Sequence, residues 1–383
     1  MATLISIVLF IFILGLMILV HEFGHFVTAR WIGVKVEEFS IGIGPLLRSW
    51  ISKGIKYSLR AFPIGGFVKM FGEEDMDIKK KGSFGGKNPW QRLLIIISGV
   101  FMNFITVILI TYIIGFFVGF EYRVPIFPFQ NKLLIGVEVE RPVIIGIADN
   151  SPAEENGLKV NEIIEKFNGE DVESVDDFVK KVSQHKGERV TISLIPLLGG
   201  ERKSVTLTPR VNYPEDEGPM GVQLSKIGII YYPGFLKIGS GFFHTVNMMV
   251  YNVSVLGELI KISWKERTIY PISENIVGPL GLFYIIKEAV KANAFLGVLE
   301  ITEIMGISLI IVNLLPLLPL DGGYIPFLLL EGITKKRVPS KIIYRVTQIG
   351  ILILAFVFVF VLMQDILRFT AIRDFFCKIH IFC

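Results

Sequence analysis

Apolar residues fall along this chain in four long runs, with an alternating, more polar stretch between the second and the third. Residues 3–20 are almost all apolar, about 18 in a row, the length at which a helix crosses a bilayer. Runs at 93–119, 304–320 and 344–363 are equally apolar and nearly free of charge, and predict three further spans. A removable leader does not fit the first run, because no Lys or Arg precedes it and no small-residue cleavage site follows. From Val143 the period shortens. Residues 143–148, 162–167 and 190–196 read as strands, Asn168-Gly169 as a turn, and 175–184 as a helix; Asn150-Ser151-Pro152-Ala153 opens a short helix that Gly157-Leu158 stops. Residues 236–262 are rich in Phe, Val, Met and Leu but are broken by Lys237, His244, Asn247, Asn252, Glu258 and Lys261, so they predict a helix lying in the membrane surface. In the first polar loop, 55–61 and 66–70 alternate around Pro63-Ile64-Gly65-Gly66, a strand-turn-strand pattern.

Composition agrees: of 383 residues, 52% are hydrophobic and only 19% charged. Mean hydropathy is +0.59. The net charge of +4 is unevenly spread. Basic residues crowd the loop from Arg30 to Arg92, Lys79 and Lys80 among them, and the loop with Lys335, Lys336, Arg337, Lys341 and Arg345. The excess of Lys and Arg assigns both loops to the cytoplasm, which puts the N-terminus and the section from Glu121 outside. The positive charge thus reads as topology and gives no support to nucleic-acid binding. The expected fold is a polytopic α-helical membrane protein with four transmembrane helices, a membrane-associated β-hairpin and an inserted extracytoplasmic α+β domain. It divides into a membrane core at 1–120, the inserted domain at 121–225, an interfacial amphipathic segment at 226–298 and a second membrane core at 299–383.

His21-Glu22-Phe23-Gly24-His25 ends the first apolar run. Histidines four apart on a helix share a face and can ligate one Zn²⁺, with Glu22 placed as a general base. A third protein ligand is needed to leave one position open for water. Asp321, after Asn313-Leu314-Leu315-Pro316-Leu317-Leu318-Pro319-Leu320, is the candidate: two prolines break the helix, and irregular backbone at membrane depth faces protein or a water-filled cavity. The plain alternative is a boundary Asp capping the next helix. An exposed edge strand in the first loop, with Gly65, Gly66 and Phe67 as substrate contacts, would replace the hydrogen bonds of an unwound substrate; the alternative is an ordinary cytoplasmic hairpin.

Further motifs are Phe62-Pro63-Ile64-Gly65-Gly66-Phe67-Val68-Lys69-Met70, Gly72-Glu73-Glu74, Gly99 with Met102-Asn103-Phe104, and Gly278-Pro279-Leu280-Gly281. With His21–His25 and the Asn313 to Gly323 segment, they make the chain resemble a site-2-type intramembrane metalloprotease of the bacterial RseP and RasP group. The resemblance implies one Zn²⁺ per chain held by His21, His25 and Asp321, Glu22 as catalytic acid and base, and Asn313 as a substrate-positioning residue. It also implies single-span membrane proteins as substrates, anti-sigma factors or remnant signal peptides among them, and a bacterial inner membrane location with the active site near the cytoplasmic side. Two departures stand out: the second proline of the Asn313 motif sits at Pro319, and one PDZ-like domain is visible where some members have two. That domain, from Asn150-Ser151-Pro152-Ala153 to Asn168-Gly169, resembles a circularly permuted PDZ domain; its groove would take peptide C-termini, or the domain is a steric cap. The function from another class is a proteolytically silent membrane scaffold working through that domain. Cys377 and Cys383, with His380 between them, read as a tail disulfide or idle thiols, and His185 and His244 as surface or interfacial histidines.

Overall fold

A computed structural model of the chain describes residues 2–73, 81–125, 135–197, 201–214 and 217–369. Glu74, Lys79, Lys80 and the tail residues Cys377, His380 and Cys383 lie outside the described residues. Helix α1 (Ala2–Ile32) is followed by the paired strands β1 (Val36–Ser52) and β2 (Ile55–Met70) and by α2 (Pro89–Val118). A mixed section comes next: β3 (Glu121–Pro125), β4 (Val137–Ile147), α3 (Pro152–Glu155), β5 (Glu162–Phe167), β6 (Glu170–Asp171), α4 (Val175–Gln184), β7 (Val190–Pro196), β8 (Lys203–Leu207) and β9 (Val222–Tyr231). After a 3-10 turn (Gly234–Gly239) come α5 (Ser240–Glu266), α6 (Tyr270–Asn275), α7 (Pro279–Lys291), α8 (Phe295–Leu314), α9 (Asp321–Thr334) and α10 (Ser340–Phe369). Among the described residues four helices, α1, α2, α8 and α10, are long and apolar enough to cross a membrane. The chain forms two compact units, one of residues 1–110, 259–288 and 301–383, the other of 111–258 and 289–300.

In the first unit, α1 does not end near residue 20. It continues past the histidines to Ile32 because Phe26 and Ala29 bury themselves with Val36, Phe39, Val68 and Met70, and it stops at Gly33, whose φ of 77° no helix interior adopts. The third span starts earlier and stops earlier than expected. Pro316 and Pro319 cannot continue α8, so it ends at Leu314 and Asp321 opens a separate helix, α9.

The first-loop hairpin also differs from expectation. Its turn is Lys53-Gly54, with positive φ at both residues (50° and 79°), as a two-residue turn of type I′ requires. Pro63 to Gly66 is no turn; β2 runs through it, with Gly65 at φ 127° and broken register around it. The missed partner is β1. Its far half pairs with the start of β2 (Trp50↔Tyr57, Ser52↔Ile55), and its near half pairs antiparallel with the end of β2 (Ser40↔Phe67, Ile41↔Gly66). Residues 38–41 also run alongside 56–59 with both numbers rising together (Phe39↔Tyr57, Ile41↔Leu59). The two long strands therefore fold over into four short ones, and the last, 66–70, has among the described residues one strand neighbour and a free edge. Glu38 ties the layers: it accepts from Ser58 Oγ at 2.6 Å and Arg60 at 3.0 Å, which outweigh the effect of burial and hold its carboxyl below the usual range. Leu46, Leu47, Trp50 and Ile51 near the turn stay exposed, an apolar surface suited to lipid.

Two charged side chains fasten the helices that follow. Arg92 of α2 and Glu331 of α9 form an ion pair, with side chains only 2% and 4% exposed, and Glu331 Oε1 also accepts from the Val338 N–H at 2.9 Å. Asp365 of α10 is buried and accepts from the N–H groups of Gly278 and Gly281, both at 3.0 Å, so it caps the start of α7 from a distant helix.

In the second unit the sheet order is β3-β9-β4-β5-β7-β8, with β6 on β5. The cluster of Ile144, Phe167, Phe178, Ile192 and Leu194 forms its core under the amphipathic α4, which Ser174 caps by accepting from the Asp177 N–H at 3.1 Å. Strand β9 runs through residue 225, so the boundary expected there falls inside a strand that pairs with both β3 and β4. Helix α5 occupies most of the expected surface segment and is not among the four candidate spans. His244 on it is not a surface histidine: it is buried and stacked on Tyr122, 4.1 Å between ring centres, and burial pushes its imidazole down to about 3.

Removing one partner of a buried ion pair strands the other charge, so Glu331→Ala should cost about 3–5 kcal/mol of stability. A clear fall in the thermal midpoint of the detergent-solubilised protein is expected, and an unchanged midpoint would show that the pair does not hold α9.

Candidate metal centre

His21 and His25 lie one turn apart on α1, both buried, and Asp321 begins α9 with its side chain 21% exposed. Their ligand atoms all lie within 4.8 Å of one another. His21 Nε2 and His25 Nε2 are 3.1 Å apart, and Asp321 Oδ2 is 3.0 Å from the first and 3.3 Å from the second. Those separations suit ion pairs, yet Asp321 Oδ2 is buried without a hydrogen bond. We therefore read the contact as convergence on a common point. His25 is held for this: its Nδ1 lies 2.8 Å from the Ile95 carbonyl, which only accepts, so Nδ1 carries a proton and Nε2 is the nitrogen turned toward Asp321. Two imidazole nitrogens and a carboxylate oxygen aimed at one place make a donor set that zinc takes. The residues fit the metal.

The surroundings leave little slack. Gly99 of α2 faces both rings: a Cβ there would meet His25 Nε2 and lie 2.8 Å from His21 Cε1. Gly322 and Gly323 at the start of α9 press on the backbone of the loop 314–318, which brings Asp321 to the histidines. The half-buried Glu22 accepts from the Val68 backbone N–H of the free edge strand. A Cβ on Gly66 would lie 3.2 Å from Glu22 Cγ and 2.9 Å from the Ser40 carbonyl. One on Gly15, two turns before Glu22, would lie 2.6 Å from the Pro63 carbonyl, so the bend of β2 follows α1 back along the apolar span.

The structure thus brings His21, His25, Asp321 and Glu22 together and sets Gly66 beside Glu22. Gly65 lies against Ile43, and Phe67 carries the Arg60 guanidinium over its ring at 5.1 Å. Asn313 is in the last turn of α8, half-buried. Sequence reasoning missed the Ile95 carbonyl and the Val68 N–H, which as backbone groups leave no residue-type signal, and the Arg92–Glu331 pair, whose partners are 239 positions apart.

The profile of Peptidase family M50 matches residues 9–357. The chain belongs to peptidase family M50. It is similar to proteins named "Putative zinc metalloprotease" from Clostridium acetobutylicum (30% identical over 362 residues, 94% of this chain and 97% of the relative) and Clostridium perfringens (30% over 352 residues, 92% and 95%). A protein of the same name from Campylobacter jejuni is 29% identical over 365 residues, 94% of this chain and 92% of its own length. As an M50 peptidase the chain is a metalloprotease with zinc as its cofactor, and the silent-scaffold alternative falls away.

A methyl group at position 99 has nowhere to go but into the two imidazoles. Gly99→Ala in this M50 peptidase should lose most of its zinc after purification, whereas Gly257→Ala in α5, where nothing lies within 4 Å of the added carbon, should keep it. Full zinc occupancy in Gly99→Ala, measured by elemental analysis, would refute the contact.

Proposed function

We propose that this peptidase cuts peptide bonds within or beside the membrane-spanning segment of single-span membrane proteins. The observation that carries the reading is the place of the three converging ligand atoms: two stand on an apolar span, α1, and the third follows the end of another, α8, with the edge of β2 alongside. His21, His25 and Asp321 would hold the zinc, which when bound polarises a carbonyl and lowers the pKa of a water.

Glu22 takes the proton of the attacking water on its carboxylate and delivers it to the departing amine nitrogen. The Val68 N–H steadies that carboxylate between the two transfers. A substrate helix hides its carbonyls in its own hydrogen bonds, so residues 66–70 take the unwound stretch as an added strand, with Gly65, Gly66 and Phe67 along it and Asn313 holding the substrate from α8. The small side of Gly66 keeps room for that strand beside Glu22.

The inserted section, 121–225, we read as a PDZ-like domain outside the membrane. Among the described residues β3 pairs only with 227–231 of β9, which leaves 222–226 with β4 alone and open to a peptide C-terminus. The basic loops put the hairpin, Arg92 and α9 on the cytoplasmic side of a bacterial inner membrane and the N-terminus outside.

Glu22→Gln should keep its zinc and lose proteolysis of a reconstituted single-span substrate, by about 10²–10⁴-fold as for loss of a general base. Asp321→Ala should lose both metal and activity. Appreciable cleavage by Glu22→Gln removes it as the base, and full occupancy in Asp321→Ala requires another third ligand. The added-strand contact is tested on the substrate: a single N-methyl amide next to the cut site removes one backbone donor and should lower kcat/KM about tenfold. Equal cleavage of the two substrates would rule out pairing along 66–70.

A further inference from the structure

The two histidines of the metal centre are unequally held. His25 Nδ1 donates to the Ile95 carbonyl, whereas His21 Nδ1 is buried without a hydrogen-bond partner. On α2, Asn103 is 1% exposed, and both its Oδ1 and its Nδ2 also lack partners. A carboxamide inside an apolar span is costly to leave unpaired, and neither packing nor the mechanism above employs it.

Helix geometry sets these orphaned groups against each other. Gly99, Asn103 and Val107 are spaced by four along one face of α2, and Met17, His21 and His25 are spaced by four along one face of α1. The faces meet at both ends. Gly99 abuts the two imidazoles, and the Val107 methyl and the Met17 terminus both close on Gly306, at 2.5 Å and 3.6 Å from where its side chain would begin. Asn103, one turn past Gly99 toward Val107, therefore faces the interval of α1 between His21 and Met17.

We propose that Asn103 is the positioning residue for His21: its Oδ1 accepts the His21 Nδ1–H, directly or across one buried water. The bond would fix the tautomer that leaves Nε2 bare, as the Ile95 carbonyl does for His25, and would make that nitrogen a stronger donor. The inference rests on His21 being a metal ligand.

The test uses the full chain in detergent and reads zinc binding by chelator competition, with the visible spectrum of the cobalt-substituted protein as a second signal. Asn103→Leu fills the space and removes the acceptor; zinc should bind about 10–100-fold more weakly and the cobalt spectrum should change. Asn103→Asp keeps an acceptor oxygen in place and should stay close to wild type in both. Should Asn103→Leu fail to fold, Asn103→Ala is read the same way. His21→Ala separates the two layers of the claim: if it retains zinc, the reading of the centre itself is wrong. If His21→Ala loses zinc while Asn103→Leu binds it like wild type, or if Asn103→Asp is as weak as Asn103→Leu, Asn103 does not position His21 and the inference is overturned.

Discussion

The close approach of α1 and α2 governs the rest of the site. Gly24 lies against the Ser98 carbonyl and Gly99 against the two imidazoles, so two apolar helices come near enough for the Ile95 carbonyl to reach His25 Nδ1. In lipid there is no hydrophobic drive to press helices together, and small residues at the crossing let backbone and side-chain contacts do so. A single larger side chain at either glycine would move the histidines from the place where Asp321 meets them.

Asp321 depends on a second constraint of the opposite kind, a break in regular structure. Pro316 and Pro319 end α8, the glycines after Asp321 let α9 fold back on the loop, and the Arg92–Glu331 pair fixes α9 to α2, the helix that also carries Gly99. The two histidines and Asp321 are thus referred to the same helix, by packing from one side and by a buried charge from the other. Buried ion pairs contribute little net stability, but breaking one is costly. The pair therefore acts to hold the far end of α9 against α2.

The folded-over hairpin supplies what helices cannot, unpaired backbone donors beside the reactive groups. An exposed strand edge invites aggregation in most proteins. Here the edge at 66–70 is directed at Glu22, and one of its N–H groups already binds the carboxylate. The edge and the Glu22 carboxylate are thereby kept in one register, so a strand added along 66–70 would lie beside Glu22.

The sequence by itself determined the four long apolar helices, the strands and helix of the inserted section between Glu162 and Pro196, and the shared helix face of His21 and His25, because each of these is written in a local period or a short motif. His21 and His25 share a helix face by spacing alone, and α4 and β7 have the bounds their apolar periodicity predicts. What the sequence misjudged depended on partners far along the chain. The turn of the hairpin was misplaced because Pro63 to Gly66 reads as a turn, and only the pairing of β1 on both sides of its near half turns it into a bend. Strands β3 and β9 were missed because their neighbours are about a hundred residues away, at a distance where no local period reports pairing. His244 looked like a surface histidine until Tyr122 and Tyr232 closed over it. Tertiary structure alone decided that Asp321 reaches the histidines and that a backbone carbonyl orients one of them, since each of these is a contact between helices that the order of residues leaves free.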